Sequence, residues 1–374
     1  MAGIYIHIPY CRQACHYCNF HFSTNLKTRN ELVKSIVREM EIRKNYLNDE
    51  PVESIYFGGG TPSLLEENEI RMLTDLIRDN QSIDKDVEIT FEANPETLDL
   101  EYLECLISLG INRLSIGIQS FSDFQLKYLN RNHTAKQAIQ SFKNARNAGF
   151  SNINIDLIYG ISEENNIWQT DIKQALDLRP EHISTYCLTI EEKTVFGNWH
   201  KTGKLLKISE ETGATHFEMA HHSLSQAGFQ HYEISSFCKP GLYAKHNTSY
   251  WKNRRYVGLG PGAHSYNVNS RQYNVSNNAL YIRSVNGGKI SFKMEELSTV
   301  DKVNEALLTG LRTIWGCDLG EINKRHGIDL LEKKKHSINH LLRSGLGKLD
   351  KTTLSLTTSG WLMADQIVSD LMIE

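Results

Sequence analysis

Missing from these 374 residues is any run approaching the ~20 apolar residues that a membrane helix needs. The N-terminal MAGIYIHIPY also lacks the basic, then apolar, then small-residue order of a secretory leader. The expectation is a soluble, cytoplasmic protein. Neither sign of charge dominates: Lys and Arg number 41 against 44 Asp and Glu, for a formal net charge of -3 and a pI of about 6.6. With no local basic patch either, there is no general electrostatic pull toward nucleic acid. The seven cysteines are odd in number, and in a reducing compartment clustered thiols serve metals or redox chemistry more than disulfides. Four of them, Cys105, Cys187, Cys238 and Cys317, are scattered among apolar or loop neighbours and are expected to be structural.

What is present is a rhythm of short β-branched run, polar turn and helical period. Runs at 3–8, 54–57, 87–91, 113–118, 152–159 and 182–188 read as strands, and 29–48, 66–79, 99–109, 123–148, 165–178 and 209–227 as helices. Gly110 and Gly149 stand where left-handed helix C-caps are expected. Strict alternation implies a parallel sheet, since parallel neighbours need a crossover helix. The cysteine loop, Gly58 to Pro62, Glu92 and Gln119 all follow the C-terminal end of a run, the face on which barrels place their chemistry. The expected fold is therefore α/β, a partial (β/α)6 barrel over residues 1–290. Beyond it, helices at 299–315, 318–326 and 330–344 and a hairpin in KLDKTTLSLTTSGW suggest a small winged-helix-like α+β domain over 291–374. It has no basic stripe for DNA.

Three features carry chemistry. Cys11, Cys15 and Cys18 form CxxxCxxC, three soft ligands that suit an iron–sulfur cluster, zinc or copper. His7, His16 and His21 are near enough to complete a Cys₃His zinc site, so spacing leaves both readings open. GGGTP at Gly58 to Pro62 offers backbone N–H and C=O groups without side-chain obstruction. Glu92, Gln119 and Asp156 are polar residues at or in apolar runs, where each needs a partner or a ligand; Arg131 lies in LNRNHT.

YIHIPYCRQACHYC, FGGGTPS, FEANPE, RLSIGIQSF and IDLIYG together resemble the radical S-adenosylmethionine (SAM) superfamily. Within it they resemble the branch that holds oxygen-independent coproporphyrinogen III oxidases and haem chaperones. The likeness runs over nearly the whole chain. It implies a [4Fe-4S] cluster on Cys11, Cys15 and Cys18, with one iron open to SAM. It also implies SAM contacts from Tyr5, Tyr17, Gly59, Gly60, Thr61, Glu92, Gln119, Arg131 and Asp156. Ser162, Ser236 and Cys238 depart from the family pattern at positions with no implied ligand role.

Three departures separate the two groups. Phe20 stands where the oxidases resembled have a further cysteine, and only ten residues precede Cys11, where they have a long N-terminal segment. KHNTSYW (245–251) is similar to the HNxxYW motif of the chaperones at His246, Asn247, Tyr250 and Trp251, of which His246, Tyr250 and Trp251 are haem-site candidates through imidazole ligation and ring packing. The resemblance thus implies a haem chaperone that binds a cluster, SAM and haem. Its expected partners are acceptor haemoproteins of respiration, a reductant such as flavodoxin or ferredoxin, and peripherally the membrane. SAM cleavage lies within the implied chemistry, whereas decarboxylation of coproporphyrinogen III is not expected; no catalytic side chain is implied. The alternatives are the oxidase itself and a zinc-stabilised barrel.

Overall fold

The computed structural model describes residues 2–205 and 208–374. Six strands succeed one another in the sheet in chain order: β1 (Ala2–Ile8), β2 (Val52–Gly59), β3 (Ile83–Ala93), β4 (Arg113–Gln119), β5 (Ile153–Tyr159) and β6 (His182–Cys187). Every adjacent pair among them is parallel. Each crossover carries at least one helix, with Arg29–Ile42, Glu67–Asn80, Leu100–Ser108, Ala135–Ala148 and Asn165–Leu178 prominent among them. These helices bury apolar stripes such as Leu32, Val33, Ile36 and Met40, or Ile70, Leu73 and Ile77, against strand residues such as Ile4, Ile6 and Ile8. Each fully buried side chain of this size contributes about 2 kcal/mol. Burial on both faces is why these strands read as continuous apolar runs. The result is the expected (β/α)6 partial barrel.

The sheet continues at both ends. Beyond β6 come β8 (Ser236–Cys238) and then β7 (Gln230–Glu233), both antiparallel to their neighbours. On the other side β9 (Tyr256–Leu259) runs parallel to β1, followed by antiparallel β10 (His264–Tyr266), β11 (Ser270–Asn274) and β12 (Phe292–Glu296). Strand β12 lies past residue 290 yet is bonded into the large sheet. After it, helix Thr299–Gly310 leads to a three-stranded sheet of Cys317–Asp318, Thr353–Leu356 and Gly347–Asp350, flanked by short helices. This winged-helix-like unit is joined to the barrel by Ile314 N donating to Tyr232 O and Ile234 N to Arg312 O, each at 3.0 Å. Among the described residues no helix is long and apolar enough to cross a membrane.

Two expected helices are interrupted. The 123–148 stretch is two helices, Asp123–Tyr128 and Ala135–Ala148, because Asn130 takes a left-handed conformation (φ 61) and the second helix starts afresh on a Thr134–Gln137 capping box. The 330–344 stretch likewise divides into Leu330–Lys333 and Lys335–Arg343. Gly149 caps its helix in the left-handed conformation expected of it.

Candidate functional site

The segment leaving β1 folds back on itself: Cys11 N donates to Ser23 O (3.1 Å) and Ser23 N to Pro9 O (2.8 Å). These bonds close the base of a loop whose three cysteines, all unpaired and half-buried, line one side of a cavity of about 540 Å³. Thr61 Oγ1 donates to Cys11 Sγ and Arg131 Nη1 to Cys15 Sγ, each at 3.5 Å. Burial pushes the Cys11 thiol up to about 11 despite the Thr61 hydrogen bond, and raises Cys18 as well. These thiols stay protonated at neutral pH until a metal displaces the proton.

GGGTP serves the loop before it serves any ligand. Gly60 N donates to Ile8 O (2.9 Å) and Thr61 N to Tyr10 O (2.7 Å), stitching the end of β2 to the start of the cysteine loop. A Cβ at Gly60 would lie 2.7 Å from Tyr10 O and 2.8 Å from Ile8 O, and one at Gly59 (φ +106) 2.5 Å from the His7 ring. The glycines admit backbone to backbone here, and their open edges line the cavity.

The same cavity is lined by Glu92, Asn94, Ser115, Gln119, Arg131 and Asp156. Glu92 Oε1 accepts from Tyr56 OH (2.6 Å) and Oε2 from Gly59 N (3.2 Å). Burial pushes its carboxyl up to about 7, Tyr56 and Gly59 pulling the other way. Asp156 accepts from Asn154 Nδ2 (2.7 Å) and Ser115 Oγ (3.1 Å), and its carboxyl is raised by burial too. Gln119 sits at φ 72, where the pairing of β4 with β5 shifts register, so a bulge turns its side chain into the cavity. Arg131 occupies the break between the two helices. Its Nη2 donates to Asn94 Oδ1 and Gly117 O, both at 2.7 Å, while its buried Nε has no partner among the described residues.

Of the residues expected at SAM, Tyr17, Gly59, Gly60, Thr61, Glu92, Gln119, Arg131 and Asp156 all line this cavity. Tyr5 does not. It lies deeper in the barrel, its hydroxyl 3.1 Å from His7 Nδ1 and its ring stacked on Tyr56 at 6.0 Å. Asn94 is the main residue that sequence reasoning passed over: it takes Arg131 on Oδ1 and donates through Nδ2 to Thr61 Oγ1 (3.2 Å). The signal was its position just past β3, two residues beyond Glu92. Cys187, expected to be structural, is exposed and lines the cavity.

The haem-site candidates lie elsewhere. His246 is 1% exposed inside the barrel, at the N-terminal ends of the strands: its backbone N donates to Glu88 Oε1 (3.1 Å) and its ring meets Ser54 Oγ (2.9 Å) and Tyr250 OH (2.8 Å). Both ring nitrogens are therefore engaged, Tyr56 and Tyr5 stack above at 5.1 and 6.3 Å, and burial drives the imidazole pKa down to about 3. The expectation that His246 ligates haem finds no open coordination position in this arrangement. Tyr250 and Trp251 are half-buried on the same short helix, Lys245–Trp251, as is Asn247. Of the histidines weighed as zinc ligands, His7 has both ring nitrogens engaged, by Tyr5 OH (3.1 Å) and His21 O (2.9 Å), while His16 uses Nδ1 on Tyr128 O (2.9 Å) and His21 uses Nε2 on Asn278 Oδ1 (2.8 Å).

Three thiols facing one cavity, an orphaned guanidinium N–H beside them and two carboxyls held in reserve by burial fit a cluster with an open corner and a zwitterionic nucleoside ligand. Fold and site together define a radical SAM barrel, and the radical SAM superfamily profile matches residues 5–174, with the HemN C-terminal domain matching 297–363. The heme chaperone HemW of Bacillus subtilis is 33% identical over 98% of this chain and 98% of its own. That of Escherichia coli is 37% identical over 70% of this chain and 69% of its own. The chain belongs to the heme chaperone HemW family of that superfamily. The solved structure of coproporphyrinogen III oxidase (HemN) from Escherichia coli is similar with a TM-score of 0.84 at 21% identity, covering 99% of this chain and 90% of that one, which establishes the shared fold.

Proposed function

We propose that this protein is a haem chaperone: it holds a [4Fe-4S] cluster on Cys11, Cys15 and Cys18, binds SAM against the cluster, and carries haem to acceptor haemoproteins. The observation that supports this best is the cavity itself, lined by three thiols together with Glu92, Gln119, Arg131 and Asp156, in a chain similar over 98% of its length to a heme chaperone. When bound, cluster and SAM supply a one-electron route to a 5'-deoxyadenosyl radical. The chain's own residues bind and orient. The Arg131 guanidinium suits a ligand carboxylate, as its fork geometry favours. Glu92, its carboxyl pushed up to about 7 by burial, and Asp156, raised in the same direction, can receive a cationic or hydroxyl-bearing ligand. Tyr17 and Ile158 add apolar walls that exclude water.

Phe20 favours the chaperone over the oxidase. It is 73% exposed at the cavity rim and offers no thiolate where the oxidases resembled have one. The acceptors are proposed to be respiratory haemoproteins, the electron donor a flavodoxin or ferredoxin, and the setting the cytoplasm with peripheral membrane contact. The division between barrel and C-terminal unit, expected at residue 290, is proposed to fall just after β12 (Phe292–Glu296), which is bonded into the large sheet.

The test is anaerobic. Reconstituted protein is expected to bind about 4 iron per chain, to lose them on Cys15→Ala, and to pass bound haem to an apo-haemoprotein. With SAM, reductant and coproporphyrinogen III it is expected to form no protoporphyrinogen IX, and rapid formation would establish the oxidase instead. A colourless protein with one zinc per chain would overturn the cluster.

A further inference from the structure

A second cavity, of about 1400 Å³, opens beside the first, and Cys187, Leu188, Thr189 and Glu191 line both. It lies between the rims of β5 and β6, helix Glu210–Gln226 and the C-terminal unit, with Tyr159, Phe217 and Trp361 among its walls. We infer that this cleft, and not the HNxxYW helix, holds the haem, with His200 Nε2 as axial ligand to the iron and the macrocycle packed against those three rings. The inference rests on the haem-chaperone reading and names its binding site.

Four observations carry it. The first is size: the cavity exceeds the ~300–1,000 Å³ of ordinary small-molecule pockets, which leaves room for a tetrapyrrole. The second is the state of His200, the one histidine among the described residues of the lining. Its Nδ1 donates to Leu205 O (3.2 Å) and its Nε2 has no partner among the described residues. A backbone carbonyl on Nδ1–H fixes the tautomer that leaves the Nε2 lone pair free, the arrangement of a ligating imidazole. His246, by contrast, has both nitrogens engaged.

The third is Gly213, in the first turns of helix Glu210–Gln226, where glycine sacrifices helix propensity. A Cβ there would meet only Cys187 Sγ, at 3.9 Å, so no packing inside the chain requires the glycine. What its missing side chain keeps open is the cleft that it lines. The fourth is the fate of the acidic rim: Glu163 is tied to Ser209 N (3.0 Å), Glu191 to Asn19 (3.4 Å) and Asp365 to Arg312. These carboxylates are already partnered, so haem propionates are best directed outward to solvent through the open side. His200 also has a physical link to the cluster loop. Phe196 and Trp199, on its own helix Val195–Lys201, pack on the His16 ring at 5.6 and 4.8 Å.

The full-length protein would be titrated with hemin and separately with metal-free protoporphyrin IX, as wild type and as His200→Ala, Gly213→Leu and His246→Ala. His200→Ala is expected to weaken hemin binding ~10-fold or more and to abolish the wild-type Soret position. Added imidazole should restore both, and metal-free protoporphyrin binding should be unaffected. Gly213→Leu is expected to weaken both porphyrins without lowering the melting temperature. Unchanged hemin spectrum and affinity in His200→Ala, a loss that imidazole does not rescue, or wild-type binding of both porphyrins by Gly213→Leu would each overturn the site, as would loss of the Soret band in His246→Ala alone. The chaperone reading survives those outcomes as long as the wild type still delivers haem. A wild type that binds no hemin removes both.

Discussion

Gly60→Ala adds a single methyl group at the seam between GGGTP and the cysteine loop. Three backbone atoms stand in its way, Tyr10 O at 2.7 Å, Ile8 O at 2.8 Å and Tyr10 N at 2.8 Å, none of which can rotate aside as a side chain could. Relief requires the start of the loop to move, which lengthens the bonds from Gly60 N to Ile8 O and from Thr61 N to Tyr10 O. Overpacking of this kind costs about 1–3 kcal/mol, and weakening two backbone hydrogen bonds adds up to ~1 kcal/mol each. We therefore expect a loss of about 2–4 kcal/mol, which is survivable on a typical stability of ~5–15 kcal/mol. At ~2 °C per kcal/mol for a long chain, the melting temperature should fall by roughly 4–8 °C. The displaced atoms belong to Tyr10, next to Cys11, so iron retained after anaerobic reconstitution should fall more than the modest destabilisation implies. Gly213→Ala is the control: its Cβ meets only Cys187 Sγ at 3.9 Å, in a helix, and it should be neutral or stabilising by up to ~1 kcal/mol. Gly60→Ala with wild-type melting temperature and iron content would refute the steric reasoning.

Three further outcomes are expected. Burial pushes the Glu233 carboxyl up from 4.5 to about 7, so the folded state holds a proton that the unfolded state releases, and wild-type stability falls as pH rises through that window. Glu233→Gln should abolish that fall, gaining up to ~3 kcal/mol relative to wild type between pH 4 and pH 8 in urea titrations; parallel pH profiles would sink the assignment. Asn94→Ala removes one partner each from Thr61 Oγ1 and Arg131 Nη2 and should weaken SAM binding by ~5–30-fold, about 1–2 kcal/mol, with iron content intact; calorimetry on reconstituted protein checks it. His246→Ala removes a fully buried ring and orphans Ser54 and Tyr250, so it should cost on the order of 2–4 kcal/mol in chemical denaturation; a loss under ~0.5 kcal/mol would contradict its placement in the core.

The alternation of strands and helices was legible because parallel strands covered on both faces must be apolar throughout, as in Ile4, Ile6 and Ile8, while the helices show 3.6-residue stripes. The cavity was legible for a related reason. Glu92, Gln119 and Asp156 interrupt or end apolar runs, and a barrel brings the ends of its strands to one place. The break at Asn130 was not, because it is held by distant partners: Asn130 Nδ2 donates to Ala14 O (2.7 Å) and Gln13 Nε2 to Asn130 O (3.0 Å). Those bonds dock the Arg131 turn on the cysteine loop, so local periodicity ran straight through it. Strands such as β8 and β10, of three residues each, are too short to show a period of two. The glycines of GGGTP were recognised, but what a Cβ at Gly59 or Gly60 would strike belongs to β1 and its loop, a reason that only tertiary packing reveals.

Depth along a strand is the other quantity that a motif does not carry, and it decides how KHNTSYW is understood. A histidine, a tyrosine and a tryptophan in one short helix look like a ligand set when only their chemistry is visible. In the fold, His246 closes the floor of the barrel, and a column of contacts rises from it. Glu88 Oε1 accepts from His246 N, the His246 ring stacks on Tyr56, Tyr56 OH donates to Glu92 Oε1, and Glu92 Oε2 accepts from Gly59 N at the SAM cavity. A polar barrel interior is tolerated only where each buried group finds a partner. An apolar residue in place of His246 would leave Ser54 and Tyr250 without theirs. The chemistry that makes the motif resemble a haem site is thus the same chemistry that a polar floor requires. The distinction lies in the ring nitrogens: both of His246 are spent inside the column, whereas His200 lines a cavity with only Nδ1 bonded among the described residues.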